Sequence, residues 1–186
     1  MTQTLSQILE ENDWNGPSGT DKNTTHDYIN GFYENEFSKY KNKKIKVLEI
    51  GTCRGTSINL WQKYFSKAEI IGIDTCDYIL EQHKGIERVT YLEGDAYDIE
   101  NVKTLPNFDI IIDDGPHSEE SQVRCIELYL SKLKKGGVLV IEDVQNISTF
   151  EVLKNCVPEE YKQNIECVDL RENKGRYDDL MFIVRK

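Results

Sequence analysis

The sequence predicts an α/β fold, a mostly parallel sheet with helices on both faces. Apolar runs with strand character alternate with segments of helical periodicity along most of the chain. The runs are apolar through their middles, as Phe108-Asp109-Ile110-Ile111-Ile112-Asp113-Asp114 shows, which suits strands buried on both faces. The last two runs, 165–171 and 180–185, flank the polar stretch Glu172-Asn173-Lys174-Gly175-Arg176 and read as a hairpin.

The elements follow in order. The first 24 residues are polar and turn-rich, with Asn15-Gly16-Pro17-Ser18-Gly19 as a loop. Ile29, Tyr33, Phe37 and Tyr40 recur at helical spacing, so a helix is expected from about Thr24 to Tyr40, capped by Thr24 or Thr25. Strands are expected at 45–51, 69–74, 89–95, 108–114 and 137–144. Helices between them are expected at 56–65, 78–84 (ending at Gly85) and 98–103 (stopping before Pro106). The next helix carries the most signals: Ser118 as cap, Glu119 and Glu120 in the first turn, and Val123, Ile126, Leu130 and Leu133 as its core stripe. Lys134 and Lys135 read as its last turn and Gly136 as its left-handed stop. Helical turns are expected at 148–155 and 158–163.

At 186 residues the chain is long enough for one domain with its own core. Residues 1–40 are expected to form a helical cap or lid, and residues 41–186 the ligand-binding body. The net charge is −10, which disfavours nucleic acid as a partner. The basic cluster Lys39, Lys41, Lys43, Lys44 and Lys46 reads as a solvated helix end and turn. No run reaches the roughly 18–20 apolar residues that span a bilayer, so no membrane partner is expected. The five cysteines form no CxxC pair, which argues against a zinc knuckle or a disulfide framework. With no basic, apolar leader at the N-terminus, a reducing, cytoplasmic setting is expected.

Chemistry in an open α/β sheet sits beyond the carboxyl ends of the strands. Those ends are acidic: Glu49, Asp74, Asp95, Asp113 with Asp114, and Glu142 with Asp143. Carboxylates gathered at one crevice repel one another and need cations or hydroxyl donors. The first loop, Gly51-Thr52-Cys53-Arg54-Gly55-Thr56-Ser57, has G-x-x-x-G spacing. It matches neither the dinucleotide fingerprint nor a P-loop, so it allows close approach of a ligand without demanding a pyrophosphate. Asp74, ending the next strand, can accept both hydroxyls of a ribose. Asp114, Glu142 and Asp143 can converge as hard oxygen ligands, which favours Mg²⁺, Mn²⁺ or Ca²⁺ over zinc. His117 lies in the loop over that set. Iron held by two histidines and a carboxylate would need His26 or His83 to join His117, and neither has the spacing.

The segments VLEIGTCRGTS, IIGIDTCD, YLEGDAYD, FDIIIDDGPH and GGVLVIEDV resemble the successive motifs of class I S-adenosylmethionine-dependent methyltransferases. The DDGPH and IED pair, with Gly19-Thr20-Asp21-Lys22, His26-Asp27-Tyr28 and Tyr33, resembles the metal-dependent sugar O-methyltransferases of the macrocin and mycinamicin type. The resemblance implies a Rossmann-like, seven-stranded sheet whose last strand is antiparallel. It implies cofactor contacts at Gly51, Thr52, Gly55 and Ser57, with Asp74 on the ribose, Asp95 and Ala96 at the adenine, and Lys22 at the methionine carboxylate. Glu49 and Asp113 are counted with them. It implies a metal, Mg²⁺ or another hard divalent cation, on Asp114, Glu142 and Asp143, and His117 as general base.

The expected reaction is divalent-metal-assisted methyl transfer from S-adenosylmethionine to a hydroxyl of a sugar or glycosylated acceptor. A catechol-type O-methyltransferase, a nicotinamide oxidoreductase and a non-catalytic adenosyl-binding module are the competing readings. The glycine spacing weighs against the nicotinamide reading. The intact set of acids and histidine weighs against the binding module, which needs no base. An open site of this size is often closed by a neighbouring subunit, so a homo-oligomer is also expected.

Overall fold

The computed structural model describes residues 3–16 and 19–186, so Pro17 and Ser18 of the expected first loop lie outside the described residues. Seven strands form one sheet: β1 (Lys46–Ile50), β2 (Glu69–Asp74), β3 (Val89–Glu93), β4 (Phe108–Asp113), β5 (Leu133–Ile141), β6 (Ile165–Asp169) and β7 (Leu180–Arg185). Their order is β3-β2-β1-β4-β5-β7-β6. The first five strands pair in parallel, and β7 runs antiparallel to both β5 and β6. The expected α/β architecture, antiparallel hairpin included, is what the chain adopts.

Successive strand residues face opposite sides of a sheet. Val47, Ile110, Ile112, Val138 and Val140 therefore join one apolar cluster, and Leu48, Ile50, Ile111, Leu139 and Ile141 join the other. After α1 (Leu5–Glu11) come the short α2 (Asp21–Thr24) and α3 (Glu34–Phe37), and the first face is covered by α1, the helical run 29–40 that holds α3, and α4 (Thr56–Tyr64). The second is covered by α5 (Ile99–Thr104), α6 (Glu119–Tyr129) and α7 (Thr149–Cys156). No helix among the described residues is long and apolar enough to cross a membrane.

Several local expectations are corrected. The N-terminal stretch holds a helix: Thr4 caps α1 through a full capping box with Gln7, and Leu5, Ile8 and Leu9 are buried. The helix expected from Thr24 is broken. A short turn, Asp21–Thr24, is capped by Thr20, and the run resumes as a wide π-type turn at Ile29–Tyr33, followed by Glu34–Phe37 and a tight Ser38–Tyr40 turn. The helix expected at 78–84 shrinks to the turn Glu81–His83. Leu80 is extended there, and its N–H donates to the Arg54 carbonyl. Gly136 does not stop a helix. After Tyr129 the chain makes the tight turn Leu130–Lys132 and enters β5 at Leu133, which pairs with Phe108. Gly136, at φ +80°, lies in the irregular stretch before pairing resumes at Val138 opposite Ile110.

Because Leu9 is fully buried in the first cluster, Leu9→Ala is expected to cost about 2–5 kcal/mol of stability by urea unfolding. A negligible loss would show α1 to be an appendage rather than part of the core.

Candidate active site

The strand order reverses between β1 and β4, the switch point at which open α/β sheets bind ligands. The loops leaving these two strands continue the ladder: Gly51 N–H donates to Ile73 O at 2.9 Å, and Asp114 N–H to Ile50 O at 2.9 Å. Gly51 has φ +82°, and a Cβ there would lie 1.9 Å from the Asp114 carbonyl oxygen, so the approach of the two loops requires glycine. Beyond them opens a cavity of about 1500 Å³.

One side of the cavity is built around Asp74. The Cys53 N–H donates to Asp74 Oδ2 at 2.9 Å and the Cys76 N–H to Oδ1 at 3.4 Å. Each oxygen retains capacity for a further donor. Gly51, Thr52, Ser57, Asp95 and Ala96 also face the cavity, whereas Gly55, at φ +85°, starts α4 just behind it. Two tyrosines hold the Asp95–Ala96 wall: Tyr129 donates to the Ala96 carbonyl at 2.7 Å, and Tyr97 to Asp113 Oδ1 at 2.6 Å. Asp113 lies under the loop rather than in the cavity, and burial raises its pKa to about 6 against the Tyr97 hydrogen bond.

Behind the cavity lies the centre of the site. Lys22, 1% exposed, brings its ammonium to the ends of three strands. It donates to Asp114 Oδ2 at 2.6 Å and to Glu142 Oε2, and sits 3.5 Å from Glu49 Oε1. Burial alone would lower its pKa, but Asp114, Glu142 and Glu49 outweigh burial and hold it well above its ordinary value. Glu142 also accepts from the Tyr33 hydroxyl, and Glu49 from the Trp61 indole at 2.9 Å. Burial lifts Glu142 to about 7, with Lys22 opposing and Asp143 adding to the rise.

On the cavity side of this cluster, Asp114, His117 and Asp143 offer ligand atoms that all lie within 4.8 Å of one another. His117 Nε2 is 3.6 Å from Asp143 Oδ2 and 3.9 Å from Asp114 Oδ1. Both His117 (φ +58°) and Asp143 (φ +52°) hold left-handed backbone conformations, uncommon for residues with side chains and frequent at functional sites. Burial lowers the pKa of His117, partly countered by Asp143. The carboxylate oxygens of Asp114 and Asp143 fit a hard divalent cation. Two carboxylates converge with an imidazole, and the acids Glu49, Asp114, Glu142 and Asp143 outnumber the single lysine among them.

The structure thus brings Asp114, His117 and Asp143 together, and gives the oxygens of Glu142 to Lys22 and Tyr33. Lys22, expected at a methionine carboxylate, has its ammonium among the acids. His83 sits apart, beside Asn59 and edge-on to Trp14. Sequence reasoning singled out neither Tyr97 nor Asp179, and Tyr28 only as part of the N-terminal signature and not as a partner of Asp143. The hydroxyls of tyrosines in an apolar stripe leave no mark on its periodicity.

Sheet order, glycine loop and crevice define a Rossmann-like α/β protein with a cavity at the switch point. Residues 41–182 match a family described as a methyltransferase domain, and the chain belongs to that family. It is 30% identical over 120 residues to a mycinamicin VI 2''-O-methyltransferase of Micromonospora griseorubida, covering 59% of this chain and 29% of that protein. It is 32% identical over 120 residues to a demethylmacrocin O-methyltransferase of Streptomyces fradiae, covering 59% of this chain and 30% of that protein. The chain therefore spans about 30% of the length of these curated relatives. Its fold matches MycE methyltransferase from the mycinamycin biosynthetic pathway, solved with Mg and SAH, at a TM-score of 0.74 and 21% identity, over 100% of this chain and 55% of that one.

Replacing Lys22 by Met keeps the length of the side chain and removes its charge. With Glu49, Asp114 and Glu142 left without their shared cation, a loss of about 3–5 kcal/mol is expected in urea unfolding at neutral pH with a chelator present.

Proposed function

We propose that the chain carries out S-adenosylmethionine-dependent, divalent-metal-assisted O-methylation of a sugar or glycosylated acceptor. The observation that carries this reading is the convergence of Asp114, His117 and Asp143 beside a cavity that also contains Gly51 and Asp74. The acceptor class is supported by relatives named for methylation of mycinamicin VI, demethylmacrocin and a rhamnosyl tetracenomycin. Residues 1–40 would act as the cap and residues 41–186 as the cofactor-binding body.

In this reading Asp74 accepts the ribose hydroxyls, Asp95 and Ala96 flank the adenine, and Gly51, Thr52, Gly55 and Ser57 surround the methionine part. Asp114 and Asp143 would hold the cation, with Glu142, whose oxygens here accept from Lys22 and Tyr33, as third ligand through a remaining lone pair. When bound, the cation supplies Lewis acidity to the acceptor hydroxyl. His117 Nε2 takes the hydroxyl proton, a role typically worth ~10²–10⁴-fold. Because the sulfonium carries its own leaving group, the remaining work of the side chains is alignment of oxygen and methyl carbon, worth up to about 7–11 kcal/mol.

Calorimetric titration with S-adenosylhomocysteine, with and without Mg²⁺, is the first test, and absence of binding in both conditions would overturn the proposal. His117→Ala is expected to keep that binding and lose ~10²–10⁴-fold in turnover. Near-normal turnover would remove His117 as base. Asp74→Ala is expected to weaken the binding itself. Asp143→Asn is expected to abolish stimulation by Mg²⁺. Assays of 6-deoxysugar glycosides beside catechols separate the sugar reading from the catechol-type one.

A further inference from the structure

We propose that Tyr28 is a positioning residue that decides which oxygen of Asp143 faces the reaction. The inference rests on the metal-assisted reading above and adds a residue to it.

Asp143 follows β5 at φ +52°, outside regular structure, and its carboxylate meets side chains from the N-terminal segment and from the loop after β4. One partner is the Tyr28 hydroxyl, which donates to Asp143 Oδ1 at 2.5 Å. The Asp178 carbonyl lies 3.1 Å from the same hydroxyl. A phenol has one proton, and the shorter contact to a charged acceptor takes it. With Oδ1 so occupied, Oδ2 is the oxygen turned toward His117 Nε2, 3.6 Å away. The arrangement presents Asp143 to the cluster through one oxygen.

Tyr28 is itself held from two directions. Its buried ring stacks on His26, with centroids 4.7 Å apart and planes 16° from parallel. His26 Nδ1 is 2.5 Å from Asp179 Oδ1, on the segment that leads into β7. The His26 ring also lies 3.6 Å from Asp143 Oδ1, longer than a hydrogen bond. The single proton that Nδ1 can carry is taken up by Asp179, so without the Tyr28 hydroxyl Asp143 Oδ1 loses its side-chain donor and nothing among the described residues holds Oδ2 toward His117. The N-terminal segment and the final hairpin thus meet behind one carboxylate, and Tyr28 sets its orientation.

The test compares the full chain with Tyr28→Phe, which keeps the stacked ring and removes one oxygen. Mn²⁺ affinity is read from the electron paramagnetic resonance signal of free Mn²⁺, and S-adenosylhomocysteine affinity by calorimetry. Loss of a partner that orients a ligand typically weakens metal binding ~10–100-fold. That loss is expected for Tyr28→Phe, with S-adenosylhomocysteine affinity unchanged and, in turnover, a raised KM for Mg²⁺ at unchanged KM for S-adenosylmethionine. Equal Mn²⁺ affinity in the two proteins would overturn the role of Tyr28 alone. Parallel loss of Mn²⁺ and S-adenosylhomocysteine binding would also overturn it, by showing general collapse of the site. Absence of Mn²⁺ binding in the unaltered chain would overturn the metal reading and this inference with it.

Discussion

The Lys22 ammonium, enclosed by carboxylates from the ends of β1, β4 and β5, is the interaction on which the site depends. Parallel strands delivered Glu49, Asp114 and Glu142 to one place, where their mutual repulsion in a dry interior would disfavour the charged forms. One cation of fixed charge, reaching in from the N-terminal segment, offsets much of that repulsion. It also pins that segment over the crevice, because Lys22 lies on a short helical turn whose start is held by Thr20. One positive charge among four acids leaves the cluster negative on the side of Asp143. On that side Asp114, His117 and Asp143 converge.

Core and site share the same side chains. Tyr28 and Tyr33 are buried in the apolar cluster formed with α1 and α4, yet their hydroxyls end on Asp143 and Glu142. Trp61 contributes its ring to that cluster and its N–H to Glu49. An aromatic residue with a polar tip suits this boundary, since the ring is stabilised by burial and the tip satisfies a buried acceptor. Loosening the helical layer would therefore disturb the carboxylates directly.

The central strands were legible in the sequence because each is a short apolar run buried on both faces, and among the parallel strands an acid stands at or near the end. The edge strands β3 and β6 are only partly buried. β2 and β7 fall at the expected residues, 69–74 and 180–185. Helix α1 is easily passed over although its signals are present: Leu5, Ile8 and Leu9 stand at i, i+3 and i+4 and Thr4 with Gln7 forms a capping box, but both lie in a short, otherwise polar stretch. The π-type turn at 29–33 was likewise hidden, because a widened turn keeps the same apolar residues on the core face. Within the site, the strand-end acids follow from topology. Their partners do not, because Tyr28 meets Asp143 across 115 residues and His26 meets Asp179 across 153. No local pattern encodes a contact of that range.

The backbone around the crevice explains why its side chains converge. Gly51, Cys53, His117 and Asp143 all have positive φ, and they lie on the loops leaving β1, β4 and β5. A strand continued in extended geometry would carry its next side chains outward along the strand axis. A left-handed residue turns the chain sharply there, so that side chains from neighbouring loops meet over the sheet end. For residues with a Cβ this costs of order 1–3 kcal/mol at strained positions, and such conformations persist only where the surroundings over-determine them. Here the surroundings do so: the ladder is extended by Gly51 and Asp114, the amide of Glu142 donates to Asp113 O at 3.0 Å, and the Gln122 side chain donates to Glu142 O at 3.1 Å. The sheet thus holds the turns, the turns aim the acids, and the N-terminal segment supplies the charge and the hydroxyls that let those acids stay together.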